Sequence, residues 1–208
     1  MTEIEAEPPA AVALFGDRID LARSYTQELV RRGEELGLIG PLELSRIWSR
    51  HILNCALVAA LLRPGLVGDI GSGAGLPGIV LAIMRPDVEF VLIEPMERRV
   101  EWLQAESSRL GLENVEVVRA RAEDARLPQP LDQATARAVS ALSKLIPLAA
   151  PLARSGGELL FLKGARVSDE VVAAEKQIRR ARLSKVEVLE LGVGIVPEVT
   201  RVFRATVD

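Results

Sequence analysis

The stretch Val67-Gly68-Asp69-Ile70-Gly71-Ser72-Gly73-Ala74-Gly75-Leu76-Pro77-Gly78 decides how the rest of the chain is read. It joins a short run rich in Val, Ile and Leu to an apolar segment of helical character, a strand, a turn and a helix in that order. Glycines here permit a tight turn and let the backbone approach a ligand closely, while the helix start offers free N–H groups. The turn is of the nucleotide-binding type. Gly73-Ala74-Gly75-Leu76-Pro77-Gly78 satisfies G-x-G-x-x-G and suits the pyrophosphate of NAD. Asp69 separates the candidates: a carboxylate repels a pyrophosphate and attracts the ammonium and sulfonium of S-adenosylmethionine. The loop from Gly71 through Ser72 and Gly73 to Gly75, with Asp69 before it, is therefore a candidate S-adenosylmethionine site. A dinucleotide site, and a structural turn that Asp69 merely caps, stay open on this stretch alone.

Outward from the loop, short apolar runs alternate with longer amphipathic segments. The pattern predicts strands at 66–70, 88–93, 115–118, 133–138 and 158–162, and helices starting near Leu76, Glu97, Ala141 and Ser168. Such alternation argues for a parallel sheet covered on both faces. The last two runs, 186–191 and 200–205, are joined by Gly-Val-Gly-Ile-Val-Pro-Glu-Val and no helix, which predicts an antiparallel hairpin. Upstream, helical spacing predicts a surface helix over 11–36, ending near Gly37, and a second over 42–62 behind Pro41. Residues 1–10, acidic and Pro-containing, read as a frayed tail. The expected division is a helical extension over 1–64 and a ligand-binding domain over 65–208.

The 208 residues are 49% hydrophobic and 26% charged, the composition of a folded globular chain. One cysteine and one histidine form neither an internal disulfide nor a zinc site of the usual ligands, so no metal is expected. No apolar run is long enough to span a bilayer, because Arg63, Arg85, Glu94 and Glu101 interrupt the hydrophobic stretches. The N-terminus is acidic where a signal peptide would be basic, which predicts a cytoplasmic location. A net charge of −3 provides no global pull toward nucleic acid, so any polyanion binding is local.

The pattern of two apolar residues, an acid and alternating glycines resembles the first motif of the seven-stranded, Rossmann-like methyltransferases, in which Glu94 matches the ribose-binding acid at the end of the second strand. Five pieces together resemble one family, the glucose-inhibited division protein B proteins, or ribosomal small-subunit methyltransferase G enzymes: Trp48-Ser49-Arg50-His51-Ile52-Leu53, the loop 69–78, Arg121-Ala122-Glu123, Arg137-Ala138-Val139 and Leu162-Lys163-Gly164. The resemblance implies a class I methyltransferase fold, an α/β mainly parallel seven-stranded sheet with an antiparallel C-terminal hairpin. It implies methyl transfer from S-adenosylmethionine to N7 of one guanine in 16S ribosomal RNA, within the small subunit or its precursor, by a monomer. It also implies that Gly71, Leu76, Ala122, Glu123 and Arg137 meet the cofactor, that Arg137 and Lys163 are catalytic and face the RNA, and that Arg50 and His51 lie on the substrate side. Asn54-Cys55 departs from the family's usual Asp-Ser, which leaves position 54 without a charge. Left open beside this reading are a small-molecule or protein methyl acceptor, which suits the net acidity, and a noncatalytic nucleotide-binding partner protein.

Overall fold

The computed structural model describes residues 3–208; of the predicted tail, residues 1–2 lie outside the described residues. Seven strands form one sheet in the order β3-β2-β1-β4-β5-β7-β6. They are β1 Leu66–Ile70, β2 Glu89–Ile93, β3 Val115–Val118, β4 Leu131–Arg137, β5 Ala153–Lys163, β6 Leu183–Leu191 and β7 Thr200–Val207. The first five are parallel, and β7 runs antiparallel to both β5 and β6, as the helix-free link between the last two runs predicts. The α-helices are α1 Pro9–Phe15, α2 Ile19–Arg32, α3 Leu53–Ala56, α4 Gly78–Met84, α5 Glu97–Arg109, α6 Leu142–Ala149, α7 Val167–Ala173 and α8 Glu175–Arg180.

The register places the site. Ile70 pairs with Ile93, and Ile93 with Val118, so β1, β2 and β3 end at one level and the loops after them share one edge of the sheet. The strand order reverses between β1 and β4, where open α/β sheets leave a crevice beyond the carboxyl ends of their strands. Every residue of β1 is buried, which explains why its apolar residues do not alternate with exposed polar ones; Asp69 is the one charged residue it buries.

The N-terminal third departs from its expected regularity. The tail is tied down: Glu5 N–H donates to Leu44 O at 3.0 Å, and Glu7 forms a two-pronged pair with Arg23. The helix expected over 11–36 stops at Gly16, whose φ of 51° lies outside the helical range, and resumes as α2. The second expected helix is a continuous coil of changing pitch: a 3-10 turn over Pro41–Arg46, a π-helical turn over Ile47–Ile52, α3, and a 3-10 turn over Leu57–Leu61. A tertiary contact caps the π-helical turn. The Glu5 carboxylate accepts the Trp48 and Ser49 N–H groups at 2.8 and 3.0 Å, so these donors need no partner in the preceding turn. Packing favours the same path, since one hydrophobic cluster joins Phe15, Tyr25 and Trp48 to Leu81, Trp102 and Leu160. The segment from Ala11 to Leu62 and the sheet therefore share a core.

Candidate cofactor crevice and cationic pocket

The glycine loop is held almost wholly by its own protein. Gly71 and Ser72 N–H groups donate to Ile93 O at 2.8 and 3.2 Å, and Gly75 and Leu76 N–H groups to Ser72 O at 2.7 and 3.3 Å. Gly73 N–H reaches the Glu94 carboxylate at 2.9 Å, and Gly78 N–H reaches Asp69 Oδ2 at 3.0 Å. A pyrophosphate needs such donors free and aimed at it. Here they are consumed, and a carboxylate already occupies the start of α4. That removes the dinucleotide alternative on physical grounds.

Asp69 is fully buried beneath the loop, with the Thr135 hydroxyl 3.4 Å from Oδ1. Burial pushes its carboxyl up to about 7; hydrogen bonds from Ser72, Gly78 and Thr135 pull back part of the way, and the Glu94 charge pushes further up. Asp69 thus caps the start of α4 from beneath the loop. Gly78 has no room for anything larger, because a Cβ there would lie 2.4 Å from Leu92 and 2.6 Å from Asp69 Oδ2.

Above the loop lies a crevice of about 210 Å³, lined by Gly71–Ala74 and Leu76, by Leu38 and Ile39 from the N-terminal segment, and by His51, Arg99, Arg137 and Ala138. Two features of this chain test whether S-adenosylmethionine fits there. Gly73 has a φ of 57°, and a Cβ built on it meets nothing closer than Gly71 O at 3.8 Å, so the space beside it is free for a ligand. Arg99 Nε is buried without a partner, a donor ready for a ligand oxygen. With the Glu94 carboxylate beside them, the donor set fits a ligand carrying hydroxyls, a carboxylate and a cationic centre.

A second pocket, of about 380 Å³, adjoins the first across Arg137 and Ala138, which line both. It presents the cations Arg50, Lys163 and Arg201 and the carboxylates Glu170 and Glu198. Arg137, the last residue of β4, stands between the two spaces. Its guanidinium donates to His51 Nδ1 at 2.6 Å, to His51 O at 3.3 Å and to Cys55 Sγ at 3.3 Å. Glu43 accepts from His51 Nε2 at 2.8 Å, so Arg137 below and Glu43 above select the neutral imidazole with its proton on Nε2. Burial lowers the His51 pKa to about 4, Arg137 adds to the fall, and Glu43 opposes it. Ala138, beside Arg137, has a φ of 55°, a strained backbone for a residue with a Cβ and one that clusters at working sites.

The remaining candidates fall as follows. Arg50 is half exposed, with only long contacts of 3.4 Å to Glu43 and Glu198. His51, expected on the substrate side, is turned inward onto Arg137. Lys163 lines the second pocket, but its ammonium is held by Ser140 O at 2.9 Å and Glu170 at 2.7 Å, and Glu170 also accepts Leu142 N–H at the start of α6. Ala122 and Glu123 begin a 3-10 turn in the loop after β3, two strands from β1; Ala122 belongs to the same hydrophobic cluster as Ile70 and Ile93, and Glu123 is exposed. The Asn54 backbone carbonyl accepts the Thr200 hydroxyl at 3.1 Å, and Cys55 is buried against Arg137. Sequence reasoning missed Leu38, Ile39, Glu43, Arg99 and Arg201. Of these only Glu43 had a signal: it lies eight residues before His51, close to two helical turns away.

Comparison with known proteins agrees with this geometry. Residues 18–195 match the family model described as rRNA small subunit methyltransferase G. The chain belongs to that family. The curated protein named ribosomal RNA small subunit methyltransferase G from Leifsonia xyli subsp. xyli is 64% identical over 98% of each chain. Its namesake in Pseudarthrobacter chlorophenolicus is 49% identical over 98% of this chain and 94% of its own. Among solved structures, an S-adenosylmethionine-dependent O-methyltransferase from Thermotoga maritima superposes with a TM-score of 0.58 at 16% identity, over 79% of this chain and 69% of its own. The tRNA (m1A58) methyltransferase of Aquifex aeolicus gives 0.57 at 17% identity, over 74% and 67%. At such identities these two attest the fold, that of class I methyltransferases. Family and fold together make the chain an S-adenosylmethionine-dependent methyltransferase.

Proposed function

We infer that the chain transfers the methyl group of S-adenosylmethionine to N7 of a guanine in 16S ribosomal RNA. The observation that carries this reading is Arg137, fixed between a glycine-loop crevice and a pocket of cations. The bound cofactor supplies an electrophilic methyl group. Gly71–Gly75, Leu76, Glu94 and Arg99 hold it, Asp69 sets the field beneath it, and Ala122 and Glu123 extend the site along the ends of β2 and β3. Arg50 and Lys163 receive the RNA, and Arg137 touches the base at the boundary.

Guanine N7 carries an in-plane lone pair and no proton, so attack on a methyl group requires no general base. The site suits that chemistry. His51, the one histidine of the chain, is neutral and engaged on both nitrogens, and Cys55, its thiol pushed up by burial, is no nucleophile. The chain works by placement, holding base and donor in line, an effect worth up to about 7 to 11 kcal/mol. Guanidinium contacts to base or phosphate add roughly 1.5 to 3 kcal/mol each. Lys163 has a second duty: through Ser140 O and Glu170 it braces the loop that follows Arg137 at the end of β4.

The substrate on this reading is the small subunit or its precursor, met in the cytoplasm by a monomer in which 1–64 and 65–208 work as one unit. Purified protein incubated with labelled S-adenosylmethionine and small subunits that lack the mark should label 16S RNA, with the label mapping to guanine N7. Absence of incorporation, or a methyl group on another atom, refutes the assignment.

A further inference from the structure

We propose that Tyr25 and Trp102 are positioning residues of the cofactor site, acting jointly on one carbonyl oxygen of the glycine loop. The Tyr25 hydroxyl, from α2, and the Trp102 indole N–H, from α5, both donate to Ala74 O, each at 2.8 Å. Tyr25 is fully buried and Trp102 nearly so. A buried tyrosine or tryptophan needs some partner for its polar atom. The choice of partner carries the information: two side chains from elements far apart in sequence converge on the same peptide, in the middle of the loop.

That convergence has a mechanical consequence. A carbonyl oxygen has two lone pairs, and both are filled here, so Ala74 C=O is held toward the core. Gly73 and Gly75, at φ 57° and 97°, leave the segment soft on either side of it. Fixing this one peptide fixes the stretch that lines the crevice. Because Tyr25 belongs to α2, and Leu38 and Ile39 line the same crevice, the N-terminal segment becomes part of the cofactor site. Loosening the Ala74 peptide adds the cost of ordering the loop to each binding event, and affinity falls.

The two bonds must also act cooperatively. Losing one donor leaves Ala74 O with the other; losing both leaves a buried acceptor with none, and the second loss costs more than the first.

This inference rests on the cofactor reading, and one set of measurements separates the two. Calorimetry with S-adenosylmethionine is performed on the full chain as wild type, Tyr25→Phe, Trp102→Phe and the double variant, well below their melting temperatures. Each single change is expected to raise Kd by about two- to tenfold. The double change is expected to exceed the product of the singles. Amide exchange in the cofactor-free state gives a second readout, with Gly75 and Leu76 N–H exchanging faster in Tyr25→Phe. Trp102→Phe leaves a cavity that can unfold the chain; Tyr25→Phe removes a single oxygen and carries the test alone if it does. If Tyr25→Phe binds like wild type with unchanged exchange at Gly75, whatever its melting temperature, the inference falls. A wild-type chain that takes up no cofactor overturns the cofactor reading, and this inference with it.

Discussion

Replacing Asp69 with asparagine should abolish a pH dependence of cofactor affinity that the wild-type chain carries through neutrality. The carboxyl is fully buried and its pKa sits at about 7, so near pH 7 half of the free protein holds it neutral. A sulfonium and an ammonium favour the charged form. The sign follows: a group raised above its ordinary value is fully charged only above about 7, so affinity is highest there and declines as pH falls through it. If the ionised form alone binds well, Kd rises about tenfold between pH 8 and pH 6. His51, at about 4, lies outside this window, and arginine side chains do not titrate near it. Glu94 is the other carboxylate beside the loop, and it remains in the variant. The Asp69→Asn change keeps an oxygen for Gly78 N–H and loses the charge, so the variant's Kd should be flat between pH 6 and 8 and no tighter than wild type at pH 6. Calorimetry across this range, repeated in buffers of different ionisation heat to count released protons, decides it. A flat wild-type profile, or the same slope in Asp69→Asn, refutes the electrostatic argument.

Other expectations follow from the same geometry. Gly73→Ala has space for its methyl group but an unfavourable φ, so it should cost about 1 kcal/mol of stability and far more in cofactor affinity, because the methyl enters the ligand's space. Gly78→Ala drives its Cβ into Leu92 and Asp69, and should lose roughly 1 to 3 kcal/mol in denaturant unfolding before any ligand is added. Arg137→Lys keeps a charge but not the fork that spans His51 and Cys55; single-turnover methylation should slow by about tenfold or more while cofactor Kd changes little. His51 binds its proton less readily folded, at about 4, than unfolded, near 6.5. The wild type should therefore lose stability on acidification through that interval relative to His51→Gln, by a difference on the order of 3 kcal/mol at most. Equal urea midpoint shifts in the two proteins would contradict the buried neutral imidazole. RNA affinity should fall steeply with added salt, since Arg50, Lys163 and Arg201 act locally on a chain of net charge −3.

The alternation of apolar runs with amphipathic segments determined the order of strands and helices, because a parallel sheet buried on both faces leaves its period in the chain. The helix-free link before Thr200 determined the antiparallel ending for the same local reason. The loop 69–78 was legible because tight turns demand glycine in sequence, whatever surrounds them. The positions of Arg137 and Lys163 came through the resemblance, carried by short motifs at strand ends. Tertiary structure alone decided the rest. Glu5 caps the π-helical turn by filling two distant N–H groups, a contact no local pattern records. Asp69 lies buried under the loop and off the crevice wall, because the fold brings the Gly78 N–H back to its carboxylate. The pairing of His51 with Arg137, and the meeting of Tyr25 and Trp102 at Ala74, join residues 28 to 86 positions apart across packed elements. Such contacts are chosen by the shape of the shared core, and periodicity along a single chain cannot encode them.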